Sequence, residues 1–336
     1  MKHVLLIAAA LSFQQVAGAV HRLPVKYVVQ PQQKVDGAQS HNRFFKQTDP
    51  DIAFQRDSSV PLIDSKTGHL FVNITIGDPP KQYEVVLDTR SSLLWLPDVE
   101  CSSSAGLSCE DTFHIADLQV RDQKFVGAGD IPAQLGFDGV LGLGYSDASN
   151  DEALSPLENM IAQGLLDEPL FSLYLASDDD GQSEVLRGGI DETKFSESLV
   201  NLPVTGKNSW EVIVDTVELG SGSFDSKSMS AILDSGTPFI VLPTEMAETI
   251  NKQIYHVGCE KLGPLPDLTF KLAGRDFEIS PRDYIDQDGD ECKGGIVGID
   301  FDWFDNAIIL LGDVFLKRWY SVFDHGNASV SLARAK

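Results

Sequence analysis

From Leu70 to the C-terminus the apolar positions fall in short runs broken by Gly, Pro, Asn and Asp. They are FVNITIG (71–77), YEVVLD (83–88), SLLWLP (92–97), VIVDTVELG (212–220), AILDSG (231–236), FIVLP (239–243) and YSVFD (320–324). Branched and aromatic side chains at this spacing suit a pleated, half-buried surface, so the pattern predicts a mostly β protein. Helical spacing is confined to brief segments such as 155–164 and 244–254, where Ser155-Pro156 and Thr244-Glu245 supply cap and first-turn chemistry.

One apolar run stands apart. Lys2 and His3 precede Val4 to Leu11, and Ala17-Gly18-Ala19 offers a small-residue cleavage step, which predicts a secretory signal over 1–19. The run is too short to span a bilayer, which takes ~20 residues. The expected product is soluble, in the secretory pathway, and either extracellular or in a vacuolar lumen. The 336 residues, 42% of them apolar, are enough for two packed lobes. Behind a signal, the four cysteines at 101, 109, 259 and 292 predict two disulfides rather than metal ligands. Pairing Cys101 with Cys109 ties a small loop and Cys259 with Cys292 a larger one; the alternative pairings cross-link distant parts of the chain, and the spacing alone leaves the choice open.

The formal charge of −24 is unevenly placed: residues 20–60 carry six Lys/Arg against four Asp/Glu, and residues 61–336 carry 19 against 46. So acidic a body repels nucleic-acid phosphates. Its self-repulsion falls as carboxylates protonate, which fits an acidic working environment as well as it fits plain solubility.

Two stretches echo each other. Asp88 opens D-T-R-S-S and is followed 54 positions later by Gly142 in GVLGLG; Asp234 opens D-S-G-T-P and is followed 78 positions later by Gly312 in IILLGD. A duplicated lobe gives this order, with two similar loops facing each other across a cleft. Two carboxyls brought together in that way cannot both ionise, so one keeps a proton while the other is charged. Such a pair activates water and polarises a carbonyl, which is amide hydrolysis without a covalent intermediate, with no cofactor or metal and with an acidic optimum.

With matching flanks the repeat resembles the pepsin-like aspartic protease family, in the stretches 70–100, FDGVLGLGY (137–145), AILDSGT and LLGDVFLKRWYSVFDHGN. Among its members the fungal vacuolar type is nearest in flavour, by VPLIDSKTGHLFVNITIGDPPKQ and GGIDETKFSESL. The resemblance implies a bilobal β fold with Asp88 and Asp234 as the catalytic pair. Thr89, Ser91, Ser235, Gly236 and Thr237 would support the two loops, and Trp95 would line the cleft that takes an extended polypeptide. It also implies a monomeric zymogen with a propeptide over 20–59, whose Arg43 and Lys46 lie near the aspartates, an N-terminal lobe over 60–172 and a C-terminal lobe over 173–336. Tyr255 to Cys292 would be a disulfide-closed part of the second lobe.

The chain departs from that family at three places. Arg90 stands where the family has glycine, and its cation is expected to favour ionisation of a neighbouring carboxyl and so to strip the pair of its shared proton. After Cys109 the chain runs directly into Glu110-Asp111-Thr112-Phe113, with no counterpart of the flap hairpin and its tyrosine. The truncated N-terminal lobe is expected to leave the cleft open, a strand edge bare and apolar surface exposed. Pro238 replaces a hydroxyl residue, a milder change. The alternative reading is therefore a catalytically impaired, peptide-binding or decoy protein, or a product of faulty splicing.

Asn73 and Asn327 stand in N-glycosylation sequons. The acidic stretch 286–290 reads as a solvated turn, because Glu291 and Val297 occupy positions where a calcium loop needs Gly and Glu. No HExxH, phosphate-loop or G-x-S-x-G motif is present.

Overall fold

The computed structural model describes residues 21–24, 26–28, 69–97, 108–128, 137–146, 154–176, 183–206, 209–224, 229–254, 265–288, 291–301 and 307–336. The signal segment, Arg43, Lys46, Cys101 and Cys259 lie outside these residues. Cys109 is disulfide-bonded, and no described cysteine is free.

The first half is built on β1 (His21–Pro24), β2 (Lys26–Val28), β3 (His69–Ile76), β4 (Lys81–Asp88), β5 (Leu94–Pro97), β6 (Ser108–Ile115), β7 (Leu118–Ala128) and β8 (Val140–Gly142). Seven of these form one sheet in the order β2-β3-β4-β8-β5-β7-β6, and β6 also pairs with β3. The sheet thus closes on itself. Leu70, Val72, Ile74, Tyr83, Val85, Leu87, Leu94, Phe113, Ile115 and Phe125 are buried in its core, while Asn73 on β3 is exposed.

This closure corrects the expectation of a bare edge. Along β3, Ile74–Ile76 bond to Phe113–Ile115 of β6, and His69–Phe71 bond to Lys26–Val28 of the leader strand β2. The Ile74–Ile76 stretch is paired within the body of the chain, whereas His69–Phe71 is paired by the leader strand. Among the described residues the exposed large apolar side chains are Leu154, Ile190 and Ile213.

The second half repeats the core of the first. In the first, β8 runs parallel to β4, with Leu87 opposite Leu141, and antiparallel to β5, with Leu94 opposite Leu141. In the second, strand Ile308–Leu311 runs parallel to Ser230–Leu233, with Leu233 opposite Leu311, and antiparallel to Ile240–Leu242, with Ile240 opposite Leu311. The repeated glycine has a steric reason. A Cβ on Gly142 would fall 2.6 Å from the Leu93 nitrogen, and one on Gly312 would fall 2.0 Å from the Thr237 carbonyl oxygen. Each active loop passes too close for any side chain.

A six-stranded sheet joins the halves, in the order His21–Pro24, Glu184–Arg187, Leu170–Tyr174, Trp319–Asp324, Ser329–Arg334, Val200–Pro203. Leader, mid-chain and C-terminal strands all contribute to it. Phe171 stacks on Phe323 with centroids 4.6 Å apart, and Trp210 meets both rings edge-on. Each fully buried ring of this kind contributes roughly 1.5–3 kcal/mol.

The run 212–220, expected as one strand, is two. Glu211–Ile213 pairs with Ser230–Ile232 in the five-stranded sheet, whereas Thr216–Leu219 pairs with Leu268–Lys271 in the four-stranded sheet. Asp215 marks the crossing: its N–H bonds the Lys271 carbonyl and its carboxylate accepts the Gly274 N–H at 2.7 Å.

Helix α1 (Pro156–Ala162) starts on a capping box, with the Ser155 hydroxyl accepting the Glu158 N–H and the Glu158 carboxylate accepting the Ser155 N–H. Helix α2 (Thr244–Ile254) buries Met246, Ala247, Ile250 and Ile254 on one face. Two single turns, α3 (Pro281–Tyr284) and α4 (Asp313–Leu316), complete the helices used below. Of the acidic stretch, residues 286–288 lie on strand Ile285–Asp288, which pairs antiparallel with Glu291–Gly294. Among the described residues no helix is long and apolar enough to cross a membrane.

Candidate active site

Asp88 ends β4, and Asp234 directly follows the equivalent strand Ser230–Leu233. The two loops that follow are tied by a reciprocal set of hydrogen bonds between residues 144 to 148 positions apart. The Thr89 hydroxyl donates to the Leu233 carbonyl at 2.7 Å and accepts the Ser235 N–H at 3.0 Å. The Ser235 hydroxyl donates to the Leu87 carbonyl at 2.8 Å and accepts the Thr89 N–H at 3.1 Å. Both side chains are fully buried. Each hydroxyl satisfies one donor and one acceptor that neither loop could satisfy alone, which fixes the distance between the two aspartates.

The carboxyls are then oriented locally. Asp88 Oδ1 accepts the Arg90 N–H at 2.8 Å, and Asp234 Oδ1 accepts the Gly236 N–H at 2.9 Å. Asp234 Oδ2 also accepts the Thr237 hydroxyl at 2.7 Å. A Cβ on Gly236 would lie 2.9 Å from Asp88 Cγ and 3.2 Å from Asp234 Oδ1, so both carboxyls border one small volume. The absence of a side chain on Gly236 is what lets them share it.

The pair is asymmetric. Asp234 is only 2% exposed, and its pKa is raised to about 6, first by burial and then by the charge of Asp88. The Arg90 cation and the bonds from Thr237 and Gly236 act the other way and are outweighed. Arg90 thus acts in the expected direction, favouring the ionised carboxylate, while burial of Asp234 acts more strongly the other way. Ser91, the counterpart of Thr237, does not make the equivalent contact, for its buried hydroxyl has no hydrogen-bond partner. Trp95 is half-buried on β5. Pro238 keeps its carbonyl in use, accepting the Val314 N–H at 3.3 Å.

Two further groups lie within electrostatic reach of the pair. Asp313, at the start of α4, is 2% exposed with both carboxyl oxygens unpartnered; burial raises its pKa well above the usual range, Lys317 opposes this and Asp234 reinforces it. Its signal was an acid placed directly after an all-apolar strand and a glycine. His69 has an unpartnered Nδ1, and burial lowers its pKa against the opposing charge of Asp88. A lone histidine at a strand start gives no such hint.

Comparison with known proteins agrees with this geometry. The family described as eukaryotic aspartyl protease matches over residues 69–108 and 102–335, two stretches that overlap at 102–108. The chain is 37% identical to vacuolar protease A of Aspergillus fumigatus over 313 residues, 79% of each chain. It is 34% identical to vacuolar protease A of Neurospora crassa over 399 aligned positions that take in all of both proteins, an alignment longer than the 336 residues here. It is also 31% identical to mouse cathepsin E over 390 positions, covering 99% of this chain and 98% of that one. The paired-aspartate site, the repeated core around it and these similarities together place the chain in the eukaryotic aspartyl protease family, as an aspartic endopeptidase by descent.

Proposed function

We propose that the chain itself hydrolyses peptide bonds, in acid, by water activated between Asp88 and Asp234. The observation that carries this reading is geometric: the reciprocal Thr89 and Ser235 bonds hold the two loops together so that both carboxyls border the one small volume at Gly236. Below about pH 6 Asp234 supplies the proton of the pair. The charged partner removes a proton from water, whose oxygen bonds to the scissile carbonyl carbon, while the protonated carboxyl gives its proton to the carbonyl oxygen. Collapse of the resulting diol breaks the C–N bond as the nitrogen takes up a proton. No cofactor or metal enters these steps.

The names of the fungal relatives favour a vacuolar or other secretory-pathway lumen. The further parts of the reading are a cleaved signal over 1–19, a propeptide over 20–59, lobes over 60–172 and 173–336, a monomeric state, disulfides Cys101–Cys109 and Cys259–Cys292, and glycans on Asn73 and Asn327. Both asparagines are exposed, which a glycan requires.

A second reading has its own support. The chain lacks a flap hairpin by sequence, and Arg90 adds bulk at the pair, so substrate would be bound without being turned over. Incubating the protein in acid with a denatured globular substrate separates the two. Cleavage blocked by an aspartic protease inhibitor and lost in Asp234→Ala supports hydrolysis; peptide binding without cleavage supports the binding role.

A further inference from the structure

Arg90 is the one feature of the active loops that has no counterpart in the second half of this chain. Its backbone does what Gly236 does, donating to the preceding aspartate. Its side chain is another matter. Arg90 as a residue is partly buried, and among the described residues its guanidinium makes no hydrogen bond and no ion pair. This is unusual in a protein with 50 acidic residues against 26 basic ones. The base of the side chain is anchored, because the Gly144 N–H bonds the Ser91 carbonyl at 2.7 Å and a Cβ on Gly144 would sit 3.0 Å from the Arg90 carbonyl oxygen. The cation lies close enough for its charge to be felt at Asp234. A planar, five-donor group thus stands at the reacting centre, fixed at its root and unsatisfied at its tip.

The absence of an ion pair is informative about what would fill that tip. The dyad carboxyls are occupied by N–H and hydroxyl donors from their own loops and do not take the guanidinium. A guanidinium left without a partner beside the paired carboxyls is matched by a ligand carboxylate, which an arginine fork binds through two parallel bonds. We propose that Arg90 is a specificity-determining residue that receives a substrate carboxylate next to the scissile bond, so that the protein selects peptides bearing an acidic group there. The inference rests on the assignment of Asp88 and Asp234 as the hydrolytic pair and names the substrate class of that site.

The carboxylate could come from a Glu or Asp side chain or from a chain terminus, and the chemistry is the same. The titratable groups around Arg90 are Asp88 and Asp234, with His69 and Asp313 beyond them. Binding of this kind needs the ligand ionised, hence a pH above roughly 4.3 for Glu, while hydrolysis needs the dyad proton; the two conditions overlap only in a narrow band of moderate acidity.

The test uses the full chain and four matched peptides: Glu or Gln beside the cleavable bond, and a free or amidated C-terminus close to that bond. Binding is read by fluorescence anisotropy and cleavage by the release of a quenched fluorophore. At about pH 5, charge-assisted bonding should favour the Glu peptide over Gln by ~10-fold or more, and the preference should shrink below about pH 4 as Glu protonates. A preference for the free C-terminus instead would locate the carboxylate at the chain end. Arg90→Gly and Arg90→Gln should bind the members of each pair equally, and Arg90→Lys should keep a reduced preference. Equal binding of all four peptides by the unaltered chain, or a preference that survives Arg90→Gly and Arg90→Gln, overturns the proposal. Arg90-dependent binding without cleavage leaves the proposal standing and removes the hydrolytic reading instead.

Discussion

Replacing Thr89 by valine isolates the tie between the two active loops. Valine has nearly the shape of threonine, so at this fully buried position it opens no cavity. What it removes is the hydroxyl that donates to the Leu233 carbonyl at 2.7 Å and accepts the Ser235 N–H at 3.0 Å. Two buried backbone groups lose a partner, and at ~1–3 kcal/mol for each orphaned group the loss should be about 2–6 kcal/mol. Thr89→Ser keeps the hydroxyl and deletes only a methyl, at a cost of about 1 kcal/mol. Counting apolar burial alone gives the opposite order, with valine harmless and serine worse. Urea unfolding followed by tryptophan fluorescence decides between them, provided the midpoints move at constant slope. The structure also requires Thr89→Val to lose activity by ~100-fold, because the spacing of the aspartates depends on the same bonds. If valine proves as stable as serine, the cross-loop bonds do not hold the site and the reasoning fails.

Other outcomes follow from the same site. Gly236→Ala should cut kcat/KM by ~100-fold or more while the melting temperature changes little, since its Cβ would lie 2.9 Å from Asp88 Cγ and 3.2 Å from Asp234 Oδ1; a melt and a peptide assay on the same sample check this. Asp234 has a raised folded pKa of about 6, so the folded state holds the extra proton and stability falls as pH rises from about 4 to 6, by about 3 kcal/mol. Asp234→Asn should flatten that segment of the urea-midpoint curve. Glu158 behaves in the reverse sense: burial raises its pKa, but the bonds from His325, Ser146 and Ser155 prevail and take it to about 2. Its contribution is complete above about pH 4.5 and is lost as pH falls toward 2, so Glu158→Gln should remove the stability gradient in that window of an acid titration. The contributions of these two groups overlap near pH 4.

Much of this was legible in the sequence because it depends on local chemistry. The runs around 83–88, 231–236 and 320–324 form strands through branched and aromatic content. Ser155 with Glu158 starts a helix through bonds within one turn. The duplicated Asp-Thr and Asp-Ser steps, each followed by an apolar run ending in glycine, announced two facing carboxyls because a repeat implies a repeated fold.

Other features depend on partners far away in the chain, and only the tertiary structure decided them. Whether Asp234 keeps a proton beside Arg90 depends on how deeply it is buried, and burial is a property of both halves together. The run 212–220 divides because its two ends pair in different sheets. The edge of β3 is filled by β6 and the leader strand, neither of which is adjacent to it in sequence. Asp313 matters because folding carries it, unpartnered, to within electrostatic reach of Asp234. The sequence by itself determined which chemical groups were available and where the chain would extend or coil. The spacing of the two active loops, on which the pairing of the aspartates depends, came from contacts between residues more than a hundred positions apart.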